Sequence, residues 1–316
     1  MKTFVVGDIH GRCAQLHHLL DLLPRDESTD TLIFLGDLID RGSDVPGCVE
    51  HVLDLCGANP ERVIYLRGNH EQMLLDFIDG KSLTWIDAGT GGDRTFAQYT
   101  QTPLRLQTEA DFDIARELFA EKIPANQIAF FRQLPLYHED DFALYVHAGL
   151  EQGKHPRDSS PQALLWTRDM DFYKSYRGKP CVFGHTPTAF LPLRGRLGHH
   201  GIYIFHSAIG IDTGYNLHSP LSCLSLPDFM LYQTYADGQS ATHHITSLIP
   251  ETLREMQRKA AGPPAIRPTI KTKITSPCSS AKSPSVSRRA PGWRSPWTKN
   301  STTKANCPRT CSAVSA

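Results

Sequence analysis

The chain has 316 residues, of which 40% are hydrophobic and 21% charged, so it can bury a core and is not a wholly disordered protein. Its net charge of zero hides a split: ten of the 33 basic residues and no acidic residue lie in 261–316, which leaves 23 basic against 33 acidic residues in 1–260. No segment has the length of a membrane span, MKTFVVGDIH lacks the apolar stretch of a signal peptide, and the eight cysteines form no Cys-x-x-Cys pair. The composition therefore predicts a reduced, cytoplasmic protein with no membrane partner.

Three apolar runs near the N-terminus each end in glycine, as buried strands often do. They are TFVVG (3–7), TLIFLG (31–36) and RVIYLRG (62–68). Leucines recur at helical spacing after the first run, and valines recur at the same spacing after the second. Strands that alternate with helices in this way indicate βαβ units and a parallel sheet.

The middle of the chain, residues 70–134, is mostly helical in pattern, with a glycine-rich break at GTGGD (89–93). From residue 142 onward short apolar runs return with few helical stretches between them, which indicates a second, more antiparallel sheet. We therefore predict an α/β fold in which a sandwich of two β-sheets is flanked by helices. The catalytic domain is expected to span residues 1–250.

The last segment, residues 261–316, has a different composition. It holds eight prolines, ten serines and seven threonines besides its ten basic residues. Such a segment cannot bury enough apolar surface to offset its ordering entropy, so we predict a disordered tail. Nucleic acid is not an expected partner except through this basic tail, for which an inert solvated extension is the favoured interpretation.

Polar side chains follow the three N-terminal strands at the points where they end. In GDIHGR, Asp8 and His10 are two apart, so on an extended chain both can reach one metal ion. In GDLIDRG, Asp37 follows the strand-ending glycine directly, and in RGNHEQ the third ending is followed by Asn69 and His70. Taken singly, a histidine here is more often structural, and an aspartate after glycine is commonly a turn residue or helix cap. Three such endings in order are a joint pattern that favours a metal site.

Two later histidines, His147 in YVHAG and His185 in VFGHTP, also stand at the ends of apolar runs. A pair of dications roughly 3.5–4 Å apart requires a bridging anion, and the two oxygens of Asp37 suit that place. Oxygen and imidazole ligands without thiolate suit manganese, iron or zinc better than calcium or magnesium. We predict two divalent ions, with manganese first and iron or zinc as alternatives. Such a pair polarises a phosphoryl group and supplies hydroxide near neutral pH.

The motifs GDIHG, GDLIDRG and GNHE, with HAG and GHTP downstream, resemble the phosphoprotein phosphatase family of calcineurin-like metallophosphoesterases. The likeness is strongest to the small bacterial and phage-lambda-type Ser/Thr protein phosphatases, and it covers residues 1–235. LLWTRD and IDTG also look like segments of that group. The stretch WIDAGTGGDRTF matches the group's W…NGG…T segment only loosely, and this segment borders the substrate cleft in the family.

The resemblance implies a set of metal ligands in which one carboxylate is shared between the two ions. The first ion would be bound by the motif nearest the N-terminus, and the second by the third motif and the two later histidines. In chain order the implied ligands are Asp8, His10, Asp37 as the bridge, Asn69, His147 and His185.

The resemblance also implies four residues that act on the substrate. His70 would be the general acid that protonates the leaving oxygen, oriented by Asp40. Arg41 and Arg168 would grip the phosphate, because a planar fork of donors matches its oxygens. An ion pair with a neighbouring aspartate is the alternative role for Arg168.

We expect a hydrolase of phosphate monoesters that acts on phosphoserine or phosphothreonine in proteins through attack by a metal-bound hydroxide. The alternative is a symmetrical diadenosine tetraphosphatase or a related nucleotide polyphosphate hydrolase, which shares the metal ligands. GNHD is usual in that pattern, so Glu71 favours the protein phosphatase. A non-catalytic binding protein on a phosphatase fold is disfavoured, because all six ligands and His70 are present.

Overall fold

The computed structural model of the chain describes residues 1–198, 201–214, 216, 218–251 and 253–255. The predicted tail at 261–316 lies outside the described residues, so the division of the chain into a domain ending at 250 and a separate tail stays a prediction. In the described part of the chain, no helix is both long enough and apolar enough to cross a membrane.

The described residues alternate strands and helices in the first third of the chain and are richer in strands toward the end. The strands are Thr3–Val6 (β1), Thr31–Phe34 (β2), Val63–Tyr65 (β3), Tyr137–Glu139 (β4), Leu144–Val146 (β5), Cys181–Phe183 (β6), Tyr203–Phe205 (β7), Ala208–Gly210 (β8), Leu221–Leu226 (β9), Met230–Thr234 (β10) and Ser240–His244 (β11). The α-helices are Cys13–Leu22 (α1), Val45–Ala58 (α2), Asn69–Ile78 (α3), Gly92–Thr100 (α4), Glu109–Lys122 (α5), Ala125–Gln133 (α6), Pro161–Trp166 (α7) and Met170–Ser175 (α8).

The first sheet contains the predicted βαβ units. Its strand order is β11-β10-β9-β1-β2-β3, and β1, β2 and β3 are parallel, with Thr3 opposite Thr31 and Leu32 opposite Val63. Helices α1 and α2 make the two crossovers between them. The N-terminal part of the fold is therefore as the apolar runs and their spacing predict.

Successive side chains on each strand of the first sheet enter different cores, because they point to opposite faces. Phe4 and Val6 pack in the cluster that includes the helices on the outer face. Val5 and Ile33 pack against residues of the second sheet, among them Tyr145. The two sheets thus stack face to face, and the predicted α/β sandwich flanked by helices is confirmed.

The second sheet differs in detail from the prediction. Its order is β4-β5-β6-β8-β7, and β5, β6 and β8 are parallel to one another. The runs LSCLSL and FMLYQTYA, expected in this sheet, instead contribute β9 and β10 to the first sheet, where Leu224 lies opposite Val5 in antiparallel pairing. The prediction was wrong there because an apolar run marks a buried strand without specifying its sheet or its direction.

The loops that follow β1, β2 and β3 meet at one edge of the sandwich. The backbone N–H groups of Ile9 and His10 both donate to the carbonyl of Asp37, at 3.0 and 2.8 Å. Gly36, with φ of +105°, brings the second loop so close to the third that a Cβ atom there would lie 2.6 Å from the nitrogen of Gly68. Glycine at this position lets the strand-end side chains come together.

Candidate metal centre

Several predicted site residues occupy a backbone conformation that side chains disfavour. φ is positive at His10, Asp37, Asp40, Arg41 and His185, with values between 49° and 74°. Each such residue costs of the order of 1–3 kcal/mol and persists only where its surroundings hold it. Gln101, His206 and Phe229 share this conformation outside the site, so the backbone agrees with the motifs without singling out their residues.

The carboxylate of Asp37 lies at the middle of the site. Its Oδ1 is 3.4 Å from Nε2 of His147, and its Oδ2 is 3.7 Å from Nε2 of His10 and 3.8 Å from Nε2 of His70. Burial alone would raise the pKa of Asp37, but the imidazoles of His147, His70 and His10 lower it well below its ordinary value. The carboxylate is therefore ionised and presents one oxygen to each of two sets of imidazoles.

Two groups of potential ligand atoms share this carboxylate. In the described part of the chain, His10, Asp37 and His70 form one group, and Asp37, His147 and His185 form the other. Within each group the ligand atoms lie within 4.8 Å of one another. One carboxylate between two clusters is the arrangement that a bridged pair of cations requires.

Asn69 extends the second group. Its Oδ1 lies 2.9 Å from Nε2 of His147 and 2.8 Å from Nδ1 of His185. The other ring nitrogen of His185, Nε2, is buried and has no hydrogen-bond partner among the described residues. It is Nδ1 of His185, beside Oδ1 of Asn69, that lies among the other potential ligand atoms of this group.

Backbone carbonyls fix the orientation of two of these rings. Nδ1 of His10 donates to the carbonyl of Ile39 at 2.9 Å, and Nδ1 of His147 donates to that of Leu35 at 2.8 Å. This assignment leaves an Nε2 lone pair on each ring toward Asp37, as in metal-binding histidines generally. Burial lowers the pKa of His10 and His147 below the ordinary value and that of His185 to about 2, so the rings are neutral, as ligands must be.

Asp8 lies on the far side of this cluster. Its carboxylate accepts the backbone N–H of His185 at 3.0 and 3.2 Å and so ties the first strand end to the sixth strand. Burial and the neighbouring carboxylate of Asp212 raise the pKa of Asp8. Two adjacent buried carboxylates are costly unless a positive charge lies between or beside them. The ligand role of Asp8 stays a prediction that agrees with this cost.

His70 is held by a chain of buried hydrogen bonds. Its Nδ1 lies 2.6 Å from Oδ2 of Asp40, which is fully buried. The other carboxylate oxygen of Asp40 accepts the hydroxyl of Thr95 at 2.7 Å and the indole N–H of Trp85 at 3.0 Å. Asp40 is thereby fixed in position and stays an acceptor for the ring, which leaves Nε2 of His70 toward the Asp37 carboxylate.

The two predicted phosphate-binding arginines contact different parts of the site. The guanidinium of Arg41 contacts Nε2 of His10 at 2.9 Å and Nε2 of His70 at 3.2 Å. Nη1 of Arg168 donates to the hydroxyl of Thr186, the residue that follows His185, at 3.0 Å. The structure therefore brings every predicted site residue to one edge of the sandwich.

Three residues that hold the site together were not predicted from the sequence. The first is Glu71, whose sequence position suggested only a substrate preference. It accepts the backbone N–H groups of Asp37 and Leu38 at 3.0 and 2.7 Å, and that of Gly68 at 2.8 Å. Trp85 and Thr95 support Asp40 as described. Their signal was present in the W…NGG…T likeness, but the sequence alone did not show that both reach one carboxylate.

The donor set fits a pair of divalent cations. It combines an ionised central carboxylate, neutral imidazoles with inward lone pairs and an amide oxygen. No thiolate is among these atoms.

Comparisons with known proteins agree with this arrangement. Residues 1–201 match the family model described as calcineurin-like phosphoesterase. The chain is 27% identical over 255 residues to bis(5'-nucleosyl)-tetraphosphatase PrpE [asymmetrical] of Bacillus cereus strain B4264, covering 72% of this chain and 92% of that protein. The protein of the same name from Bacillus mycoides strain KBAB4 is 27% identical over 260 residues, with the same coverage. A solved structure provisionally described as a diadenosine tetraphosphatase superposes with a TM-score of 0.51 at 20% identity, covering 77% of this chain and 92% of that chain, which supports the fold.

Glu71→Ala should destabilise the protein strongly, because it leaves three buried backbone N–H groups without their acceptor. With one to three kcal/mol for each unsatisfied group, we expect a loss of roughly 3 kcal/mol or more in the free energy of unfolding, measured by urea denaturation. Glu121→Ala, an exposed site on α5, is the matched control and should leave the midpoint unchanged. A Glu71→Ala midpoint equal to that of the control would show that the loops hold without this carboxylate.

Proposed function

The chain belongs to the calcineurin-like phosphoesterase family, and from this premise we propose that it is a hydrolase that cleaves phosphate esters at a centre of two divalent cations. The observation that carries the proposal is the carboxylate of Asp37, which lies between two clusters of imidazoles and belongs to both. A bridge between two cations needs ligand atoms on the side of each carboxylate oxygen, and this carboxylate has His147 near Oδ1 and His10 near Oδ2.

The residues that would hold the cations are those of the predicted ligand set. We assign Asp8 and His10 to the first cation, Asn69, His147 and His185 to the second, and Asp37 to both. When bound, two such cations polarise a phosphoryl group and lower the pKa of water enough to supply hydroxide near neutral pH. We propose manganese as the preferred metal, with iron and zinc as alternatives, on the donor chemistry alone.

His70 is the proposed proton donor to the leaving oxygen. Burial works against the charged ring, but Asp37 and Asp40 outweigh it and raise the pKa of His70, so that the protonated form is favoured. Since Asp40 holds Nδ1, the proton available for transfer is the one on Nε2, which lies toward the centre. The planar donors of Arg41 and Arg168 would bind the phosphoryl oxygens and hold the ester in line for attack.

The curated relatives and the sequence motifs favour different substrate classes. Nucleotide polyphosphates are the first candidate, because the curated relatives that match along 92% of their length are named bis(5'-nucleosyl)-tetraphosphatases. Phosphoserine and phosphothreonine in proteins are the second, on the motif likeness to the phage-lambda-type phosphatases. Glu71 no longer favours the second class, because its carboxylate is engaged with backbone N–H groups and does not face the substrate side.

The metal requirement is the direct test of the proposed activity. After treatment with a chelator, the protein should not hydrolyse p-nitrophenyl phosphate, and Mn²⁺ should restore the reaction. Because the ions bind the folded chain, Mn²⁺ at 100 times its dissociation constant should also add about 2.7 kcal/mol to the free energy of unfolding for each ion bound. Full hydrolysis by a metal-free sample, shown to be so by elemental analysis, would refute the two-cation centre.

Substitutions at His70 and Asp37 should separate proton transfer from metal binding. His70→Asn should keep both metals and lose a factor of roughly 10²–10⁴ in kcat, the usual contribution of a placed general acid. The loss should shrink for aryl phosphates with acidic leaving groups, which depart without protonation. Asp37→Asn should instead lose the metal pair, because the bridge loses its charge.

The measurements are metal content and rates against the pKa of the leaving group. His18→Asn, a histidine on α1 outside both imidazole groups, is the matched control and should change neither. A metal-depleted His70→Asn protein, or one equally slow on every leaving group, would contradict the assignment of His70 as the acid.

A further inference from the structure

A cleft opens beside the reactive end of the metal centre. Its volume is about 540 Å³, and it includes His10 of the first imidazole group and Arg41, which contacts both His10 and His70. The lining residues are His10, Arg12, Arg41, Gly42, Gly89, Gly91, Asp93, Arg94, Gly214 and Asn216. We call this space the arginine cleft.

Three guanidinium groups line the arginine cleft, against one carboxylate, that of Asp93. Arg41 is nearest the imidazoles, and Arg12 and Arg94 come from the loop after β1 and the first turn of α4. Guanidinium groups thus outnumber carboxylates in the lining, although Arg12 also has the buried carboxylates of Asp8 and Asp212 beside it. A concave surface lined by arginines concentrates phosphate-like anions.

Arg12 is fixed before any ligand arrives. Its Nε donates to the carbonyl of Ile9 at 2.8 Å, its Nη2 to that of Asp8 at 2.6 Å and its Nη1 to that of Ser219 at 3.3 Å. A guanidinium has five N–H donors, so these three bonds leave two. A rigid, largely buried cation with donors to spare loses little entropy when it binds an anion.

The glycines of the lining bring backbone directly against the arginines. A Cβ atom on Gly91 would lie 2.5 Å from the backbone nitrogen of Arg41, and one on Gly214 would lie 2.5 Å from Nη2 of Arg12. A side chain at Gly91 or Gly214 would clash, so at these two positions the wall of the cleft is bare backbone between charged groups. An extended, strongly charged ligand can approach such a wall closely.

Arg94 links the cleft to the phosphate-binding arginine. Its Nη1 donates to the carbonyl of Arg41 at 2.6 Å, and the rest of its exposed guanidinium lines the cleft. A single phosphate held between Arg41 and Arg168 would leave the exposed guanidinium of Arg94 unused. Because Arg41 lines the same cleft as Arg94 and Arg12, the cleft offers a second phosphate, bonded to the first, two further guanidinium groups.

We propose that the arginine cleft is a subsite for the phosphates that adjoin the scissile one, with Arg94 and Arg12 as their donors. The substrate is then a chain of phosphates, as in a nucleotide polyphosphate, and not an isolated phosphate on a protein side chain. The inference rests on the proposed function, since it assumes that the metal centre acts on a phosphoryl group. It goes further by naming the residues that select among phosphate substrates.

Binding of inorganic tripolyphosphate and orthophosphate to the full-length protein, measured by titration calorimetry, tests the subsite directly. Tripolyphosphate should bind the wild type more tightly than orthophosphate. Arg94→Gln should weaken tripolyphosphate roughly tenfold, the worth of a charge-assisted hydrogen bond, and orthophosphate much less. Arg105→Gln removes the same charge at an exposed position outside the cleft lining and should change neither constant.

Rates on two substrates distinguish a role of Arg94 in recognising the substrate from a role in supporting the backbone at Arg41. Glutamine at 94 can still donate to the carbonyl of Arg41, so Arg94→Gln should lower kcat/KM for diadenosine tetraphosphate about tenfold more than for p-nitrophenyl phosphate. An equal loss on both substrates would show that Arg94 only supports the Arg41 turn, and no loss on either would show that the cleft is not used. Both results overturn the subsite. A wild-type protein that hydrolyses neither substrate with metal present would instead overturn the proposed function itself.

Discussion

The burial of several carboxylates at one edge of the sandwich is the constraint on which the site depends. Asp8, Asp37, Asp40, Glu71 and Asp212 are each at most 4% exposed. The four aspartates lie in loops that follow strands, and Glu71 lies in the first turn of α3. An ionised carboxylate away from water is costly unless donors or positive charges compensate for it. The surrounding backbone N–H groups, imidazoles and arginines compensate for the cost of burying these carboxylates.

The carboxylates fall into two kinds according to their partners. Asp40 and Glu71 are surrounded by donors: a ring N–H, a hydroxyl and an indole for Asp40, and three backbone N–H groups for Glu71. These two position other residues. Asp37 accepts the backbone N–H of His70 at 3.1 Å and otherwise faces the rings of His10 and His147, whose N–H groups are turned to backbone carbonyls. Cations between this carboxylate and the ring lone pairs would satisfy both, so the family relation and the geometry lead to the same centre.

Much of the centre could be predicted from the sequence, because strand ends carry their ligands with them. Because β1, β2 and β3 are parallel, the residues that follow them, among them Asp37 and Asn69, lie at the same edge of the sheet. The place of β9 beside β1, and the meeting of Trp85 and Thr95 on Asp40, could not be predicted in this way. They depend on residues that are distant along the chain or on helices whose packing is set by the core, where Trp85 lies against Phe77 and Phe119.

The reassignment of Glu71 shows where substrate information lies in such a site. A glutamate in the first turn of α3 has the reach to bond the backbone at Asp37 and Leu38 in the neighbouring loop, and an aspartate would be shorter by one methylene. The identity of residue 71 therefore depends on the spacing of two loops, and it does not indicate the substrate of the metal centre. Selection among phosphate substrates has to come from groups that touch the part of the substrate beyond the scissile phosphate. In the proposed subsite these groups are Arg12, which follows the GDIHG motif directly, and Arg94, and neither is one of the proposed metal ligands. Chains with the same ligands can accordingly differ in substrate while their motifs stay alike.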